Sequence, residues 1–107
     1  MGLSSFHQAQ AFNFRFLDSS AVARFTDEDW QVLRDATRQA LNHGSDGDTI
    51  TWRNDKTGHW GTITPSPASD RAGATCRRTR FVANAAQRTS DTTVTFCRID
   101  GQWKVAQ

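Results

Sequence analysis

Histidines, carboxylates and cysteines are the side chains of this chain that could support acid–base, metal or redox chemistry. The histidines, His7, His43 and His59, are scattered, and no His-x-x-x-His spacing brings two of them together. Acid–base or metal chemistry needs converging groups, so each histidine is expected to be solvent-exposed or to cap a helix. The two cysteines are too few to hold a structural zinc. The pattern therefore predicts no catalytic residues, no metal site and no cofactor.

Two acidic segments have simpler explanations than catalysis. Asp27, Glu28 and Asp29 stand together, but a helix beginning at this point accounts for all three as capping residues. The segment Gly-Ser-Asp-Gly-Asp at 44–48 is acidic, which disfavours a phosphate loop. It is also short and lacks the distal glutamate of a calcium loop.

Cys76 and Cys97 lie in two strand-like segments that look like neighbours. A structural disulfide is the favoured interpretation, with two buried free thiols as the alternative. A redox-active pair is a further alternative, because Arg77, Arg78 and Arg98 are adjacent in sequence and cationic groups favour a thiolate.

Basic and aromatic residues supply the best candidate for a binding surface. Basic groups interleaved with aromatic rings can hold phosphates or sugars. Strand alternation places Arg77 on the core face, where it needs a carboxylate partner or a route to solvent. The favoured interpretation is nevertheless a solvated face whose charges pair internally, with an anionic-ligand site as the alternative. The candidate ligand surface comprises Arg78, Arg80, Arg98, Lys104, Trp52, Trp60 and Trp103.

The clearest element that must position these groups is a helix over residues 26–43. Thr26 is suited to be its N-cap, with Asp29 at the capping-box position. Phe25 and Trp30 have the spacing of a hydrophobic staple, and Gly44 follows the helix end. An apolar stripe follows at helical spacing: Trp30, Leu33, Ala36 or Thr37, Ala40 and Leu41.

The rest of the chain predicts an antiparallel sheet of four or five strands. The strand-like segments are 49–54, 59–64, 75–83, 92–99 and 102–105, with a loop expected at 65–74. Residues 55–58 form a turn, and Asp100-Gly101 is a strong two-residue hairpin signal. The predicted fold is therefore α+β: one helix packed on the sheet, tied by one cross-strand disulfide.

The hairpin signal also predicts the pairing of the strands. It places Arg98 opposite Trp103 and Cys97 opposite Lys104, and a disulfide would place Cys76 opposite Cys97. One sheet face then gathers apolar side chains for the helix to cover: Phe81, Val94, Phe96, Trp103 and Val105. The other face gathers Arg78, Arg80, Thr93, Thr95, Lys104 and the disulfide, as expected for a sheet covered on one side.

Length and charge limit the remaining possibilities. A chain of 107 residues has room for one hydrophobic core. Residues 1–24 are expected to form an N-terminal arm, extended or partly ordered, and residues 25–107 the domain. The net charge of +2 is small, so nucleic acid is not an expected partner. No segment reaches the roughly 18 apolar residues that cross a bilayer, and residues 1–16 have no signal-peptide pattern.

Five short segments, taken in order, resemble the C-terminal domain of a bacterial outer-membrane surface-antigen family, the rickettsial seventeen-kilodalton antigen type. They are Phe-Thr-Asp-Glu-Asp-Trp at 25–30, Thr-Trp-Arg-Asn at 51–54, Thr-Gly-His-Trp-Gly at 57–61, Thr-Cys-Arg-Arg at 75–78 and Phe-Cys-Arg-Ile-Asp-Gly-Gln-Trp-Lys at 96–104. The resemblance implies an exported envelope protein of a Gram-negative bacterium, in the periplasm or associated with the outer membrane. Membrane anchoring is expected only if a segment preceding this sequence supplies it.

The expected function is that of a non-enzymatic envelope module that binds another envelope component, such as a protein, peptidoglycan or an anionic glycan. The alternative is an inhibitor or accessory domain of an envelope hydrolase, since compact sheets tied by a disulfide suit that role. The resemblance implies no catalytic residues.

Overall fold

The computed structural model describes Phe14, Leu17 and residues 19–106. The elements are α1 (Ser19–Val22), α2 (Asp27–His43), β1 (Ile50–Arg53), β2 (Trp60–Pro65), β3 (Ser69–Arg71), β4 (Ala74–Ala85), β5 (Arg88–Ile99) and β6 (Gln102–Val105). The strands form one antiparallel sheet in the order β1-β2-β4-β5-β6, and β3 pairs with the start of β4. The predicted α+β fold is confirmed, with six described strands instead of four or five.

Most of the predicted N-terminal arm, including Phe12 and Phe16, lies outside the described residues. Its described part contains the short helix α1, which packs against β4 and β5. Ala21 in this helix is fully buried, and its backbone amide donates to Ser90 Oγ at 3.2 Å. The segment before α2 therefore contributes to the core through a helix.

The predicted start of α2 is confirmed. Thr26 is the N-cap, and both hydrogen bonds of the capping box with Asp29 are present. The rings of Phe25 and Trp30 lie 4.9 Å apart, which makes the hydrophobic staple. At the other end, Gly44 has φ −70°, so it does not use the left-handed conformation. Its missing side chain matters for space, because a Cβ there would lie 2.4 Å from the Ala40 carbonyl oxygen.

The predicted strand register is confirmed at both hairpins. Arg98 pairs with Trp103 and Cys97 with Lys104 across the Asp100-Gly101 turn. Cys76 lies directly opposite Cys97, and the two cysteines form a disulfide. The sheet therefore has the two faces that the sequence pattern predicts.

Three two-residue turns join strands of the sheet, and the two that were not predicted make the sheet larger than expected. Ala72-Gly73, Ala86-Gln87 and Asp100-Gly101 each join adjacent strands, and both residues of each turn have positive φ. This is the backbone geometry of a tight hairpin. The Ala86-Gln87 turn lets β4 and β5 run to 12 residues each. The Ala72-Gly73 turn creates β3 within the segment expected to be a loop, so that expectation was wrong.

Helix α2 lies over β1 and β2, and the core fills the space between the helix and one sheet face. We call this covered side the inner face and the opposite side the outer face. Phe81, Phe96 and Trp103 are buried on the inner face as predicted, with Val94 and Val105 packed at its margin. The disulfide lies on the outer face and is nevertheless almost inaccessible, with Cys76 2% and Cys97 7% exposed.

Candidate functional site

The N-terminal end of α2 carries a buried carboxylate that joins the helix to the β1–β2 loop. Asp29 is fully buried and accepts the Thr26 amide at 2.7 Å. Its Oδ1 accepts from Asn54 Nδ2 and Thr57 Oγ1, both at 2.8 Å. Its Oδ2 also lies 2.8 Å from His59 Nδ1. The capping role assigned from sequence is confirmed but incomplete, because the same carboxylate organises a loop about 25 to 30 residues away in sequence.

Asp29 is ionised despite its burial. Burial by itself raises the pKa of this carboxyl, but the hydrogen bonds from the Thr26 amide, from His59 and from the other two side chains outweigh it. Together they lower the pKa from 3.8 to about 2. An ionised carboxylate is an acceptor only, so His59 Nδ1 carries the proton in this pair.

His59 is the histidine that the sequence pattern misjudged. It was expected to be exposed or to cap a helix, but its side chain is 14% exposed and pairs with Asp29. The Phe25 ring stacks on the imidazole, with 5.9 Å between ring centroids. The sequence around His59, which follows the predicted turn at Thr57, did not predict this contact. Asp29 is too far away in sequence for a local pattern to connect the two residues. Among the described residues, His59 Nε2 has no hydrogen-bond partner.

The C-terminal end of α2 is held by a buried cation from the sheet. Arg77 Nη1 donates to the carbonyls of Ala40 at 3.3 Å and Leu41 at 3.1 Å, and its Nε donates to Ser66 O at 2.8 Å. Its Nη2 pairs with Asp46 at 3.1 Å. This ion pair confirms the prediction that Arg77 needs a carboxylate partner or a route to solvent. Arg77 is thus a structural residue at the helix end.

The candidate ligand surface is divided between the two faces of the sheet. Arg78, Arg80 and Lys104 are exposed on the outer face. Trp60, 41% exposed, lies on the same face beside Asn84 at one end of the sheet. The structure thus brings four of the seven residues to one accessible face.

The other three residues of that set lie on or beside the inner face. Trp52 and Trp103 are 3% and 7% exposed, and Trp103 Nε1 donates to Asn42 Oδ1 at 2.8 Å. Arg98 is exposed and sits over the Trp103 ring, with 5.9 Å from Cζ to the ring centroid. The two buried indoles contribute to packing, because strand alternation turns them toward α2.

The exposed cations of the outer face differ in their pairing. Arg80 makes two hydrogen bonds to Asp91, and this contact raises the pKa of Arg80 and lowers the pKa of Asp91. Arg78 and Lys104 make no ion pair with any residue that the structure describes. Arg78 and Lys104 therefore present charge on the outer face that no described carboxylate neutralises.

An open cleft of about 340 Å³ lies at one end of the sheet. Residues 57–60 of the β1–β2 loop line one side, and residues 84–87 at the β4–β5 turn line the other. His59 and Trp60 belong to the first group, and Asn84 and Gln87 to the second. The sequence pattern did not find this cleft, because no glycine or asparagine marks the Ala86-Gln87 turn that brings the second side into place.

Within residues 19–106, no group of three or more histidine, cysteine or acidic side chains is arranged to hold a metal ion. Neither of the two described helices is long and apolar enough to cross a membrane.

Fold and site together define a small disulfide-linked α+β domain with a covered inner face, an exposed basic outer face and a cleft at one end. A model of the 17 kDa outer membrane surface antigen family matches residues 39–104. The chain belongs to this family, as the five short segments suggested. Two curated relatives, each named 17 kDa surface antigen, come from Rickettsia bellii, one of them from strain RML369-C.

Each relative is 31% identical over 85 residues, which cover 78% of this chain and 54% of the relative. The chain thus spans about half the length of the curated relatives it matches. No solved structure matches the chain significantly.

Proposed function

We propose that this chain is a non-enzymatic module of the bacterial cell envelope, periplasmic or associated with the outer membrane, that binds another envelope component. Membership of an outer-membrane surface-antigen family supports the compartment. The disulfide supports it independently, because structural disulfides persist in oxidising compartments and are rare in the cytosol.

The outer face of the sheet is the observation that carries the binding proposal. Arg78 and Lys104 are exposed there without a carboxylate partner among the described residues. Arg80 is already engaged by Asp91 and contributes less free charge. Unpaired cations on a polar sheet face attract anionic groups, so among the envelope components considered we favour an anionic glycan, peptidoglycan included.

The test is binding of the purified protein to envelope material. Insoluble peptidoglycan and lipopolysaccharide, each purified, are incubated with the protein at low and high salt, and bound protein is measured. We expect saturable binding to one of them that weakens as salt rises, because exposed charges are screened. Arg78→Ala/Lys104→Ala should reduce this binding at least about tenfold, a change that corresponds to roughly 1.4 kcal/mol.

A matched control removes the same charge elsewhere. Arg24→Ala/Arg38→Ala also deletes two exposed cations, but from the helical side of the molecule. It should bind like the parent protein. Equal loss in both double variants would show a nonspecific charge effect, and no binding to either material would contradict the glycan proposal.

A pull-down from envelope extract separates the remaining alternatives. Recovery of one envelope protein, with no binding to either glycan, would favour a protein partner. If that protein were a hydrolase whose activity the domain changed, the inhibitor or accessory role would replace the proposed one. Turnover of envelope substrates by the domain alone would contradict the non-enzymatic assignment.

A further inference from the structure

The cleft at the end of the sheet has a chemical character different from that of the basic outer face. Its lining residues, 57–60 and 84–87, include no lysine, arginine, aspartate or glutamate. They include an exposed indole, Trp60, and two carboxamides, Asn84 and Gln87. A cleft of this composition offers a flat apolar surface beside groups that both donate and accept hydrogen bonds. It has no lysine or arginine with which to match a phosphate or carboxylate.

Two of the polar groups in the cleft are held by neighbouring hydrogen bonds. Asp29 accepts from His59 Nδ1 at 2.8 Å, which fixes the imidazole of this cleft-lining residue and leaves Nε2 without a partner among the described residues. Thr89 Oγ1 donates to Asn84 Oδ1 at 2.8 Å, which leaves the Asn84 amide protons to donate. Groups fixed in this way lose little conformational entropy when a ligand binds.

We propose that this cleft binds one uncharged N-acetylhexosamine ring of an envelope glycan. The Trp60 indole, 41% exposed, stacks on the C–H face of the sugar ring. Asn84 donates to ring hydroxyls, and His59 Nε2 forms a further hydrogen bond with them. The acetamido methyl packs against Ala86. The inference rests on the proposed function, in that the envelope component is taken to be a glycan.

The size and position of the cleft agree with one sugar ring of a longer chain. Its volume of about 340 Å³ is near the lower end of the roughly 300–1,000 Å³ typical of small-molecule sites. Asn84 and Arg78 lie on the same face of β4, about 20 Å apart at roughly 3.3 Å per residue. A glycan chain held by the cleft can therefore continue along the strands toward the unpaired cations.

The probe is chitotriose, a soluble trimer of N-acetylglucosamine, titrated into the whole chain and followed by tryptophan fluorescence and backbone amide NMR. We expect saturable shifts confined to residues 57–60 and 84–87 and their neighbours. Trp60→Ala should weaken binding about tenfold or more, and Asn84→Ala about fivefold. Ile99→Ala is the matched control, because Ile99 is also an exposed large apolar residue, 45% exposed, at a different turn. It should bind chitotriose like the parent protein.

Cellotriose, which lacks the acetamido group, should bind at least about tenfold more weakly than chitotriose. Equal affinity for the two trimers, shifts elsewhere on the molecule, or full affinity in Trp60→Ala would each overturn the inference. Binding of Trp60→Ala to peptidoglycan and to lipopolysaccharide then identifies which material supplies the sugar.

The experiments distinguish failure of the cleft assignment from failure of the proposed function. If the parent protein binds envelope glycan in a salt-dependent manner and Trp60→Ala binds equally well, the cleft assignment fails while the proposed function stands. If chitotriose binds the cleft but neither envelope material is bound, the proposed function fails.

Discussion

The two ends of helix α2 solve the same electrostatic problem in different ways. A helix dipole leaves partial positive charge at its N-terminus and partial negative charge at its C-terminus. Asp29 lies buried at the first end and accepts four hydrogen bonds. Arg77 lies buried at the second end and donates to three carbonyls and one carboxylate. Each end therefore has a buried charge of complementary sign.

The difference between the ends is where the charge comes from. Asp29 belongs to the helix itself, three residues after the N-cap, whereas Arg77 comes from β4, over 30 residues beyond the helix end. The N-terminal cluster ties α2 to the β1–β2 loop beside the cleft. The C-terminal cluster ties α2 to the centre of the sheet. We expect the first cluster to affect both stability and the cleft, and the second to affect stability alone.

The largest effect is expected from Arg77→Met. The substitution leaves the carbonyls of Ala40, Leu41 and Ser66 without a side-chain donor and removes the cation from the helix end. At about 1 kcal/mol for each buried acceptor plus the dipole contribution, unfolding free energy should fall by about 4 kcal/mol. Arg78→Met, one residue away on the exposed face, should change it by less than about 0.5 kcal/mol. Urea denaturation measures both, and similar values would contradict the assigned role.

Loss of the disulfide tests whether the helix ends act independently of the sheet cross-link. Cys76 and Cys97 are 21 residues apart in sequence, and the chain-entropy model assigns a loop of this size about 3 kcal/mol. The Cys76→Ser/Cys97→Ser variant should lose that stability, and the reduced parent protein should behave alike in thermal denaturation. Because Cys76 is the chain neighbour of Arg77 in β4, combining this change with Arg77→Met measures whether the cross-link and the helix end are coupled. Strong non-additivity would show that the two sites are coupled.

Asp29→Asn should remove an acid-dependent contribution of about 2 kcal/mol. The pKa of Asp29 is about 2 in the folded state and 3.8 ordinarily, so the unfolded state takes up this proton first as the pH falls. The contribution is present in full above about pH 4 and is lost between about pH 4 and 2. Denaturation measured at several pH values in this range should show that the unfolding free energy of the variant depends less steeply on pH. Asp35→Asn, exposed on the same helix, is the control and should retain the parent slope.

Thr26→Ala should have the smallest effect of the four. It removes the hydroxyl that accepts the Asp29 amide at 3.1 Å, while Asp29 keeps its bond to the residue 26 amide. The expected loss is about 1 kcal/mol, typical of an N-cap residue. Thr26→Ser retains the hydroxyl and should recover most of the lost stability. Thermal denaturation of both variants and the parent protein measures this. A loss as large as that of Arg77→Met would mean that the N-terminal end, too, depends on a single contact.

Local patterns in the sequence identified the elements and much of their pairing. The spacing of Thr26 and Asp29 marks a capping box, because both partners lie within one helical turn. Asp100-Gly101 marks a tight turn, and a two-residue turn sets the register of the strands on either side. The β4–β5 register came instead from the assumption that Cys76 and Cys97 lie opposite each other, which put Phe81 and Phe96 on one face, as the structure has them.

Those local patterns could not predict contacts between segments that are distant in sequence. The sequence predicted that Arg77 required a partner but not that the partner set would include the last carbonyls of α2. Nothing near His59 indicated Asp29 as its partner. The Ala86-Gln87 turn adopts positive φ without a glycine, because the ladder between β4 and β5 holds it in place. The cleft depends on that turn, so no local signal could have predicted it.

The sequence favoured the disulfide, and with it the β4–β5 register, over two free thiols. By itself it determined the α2 helix, the β5–β6 register and the division of the sheet into apolar and polar faces. These follow from periodicity and turn chemistry, which act over a few residues. Tertiary structure alone decided which charges are buried at the helix ends, which indoles remain exposed and where the cleft lies. These depend on packing between segments far apart in the chain, where the loss of solvation must be matched by a specific partner.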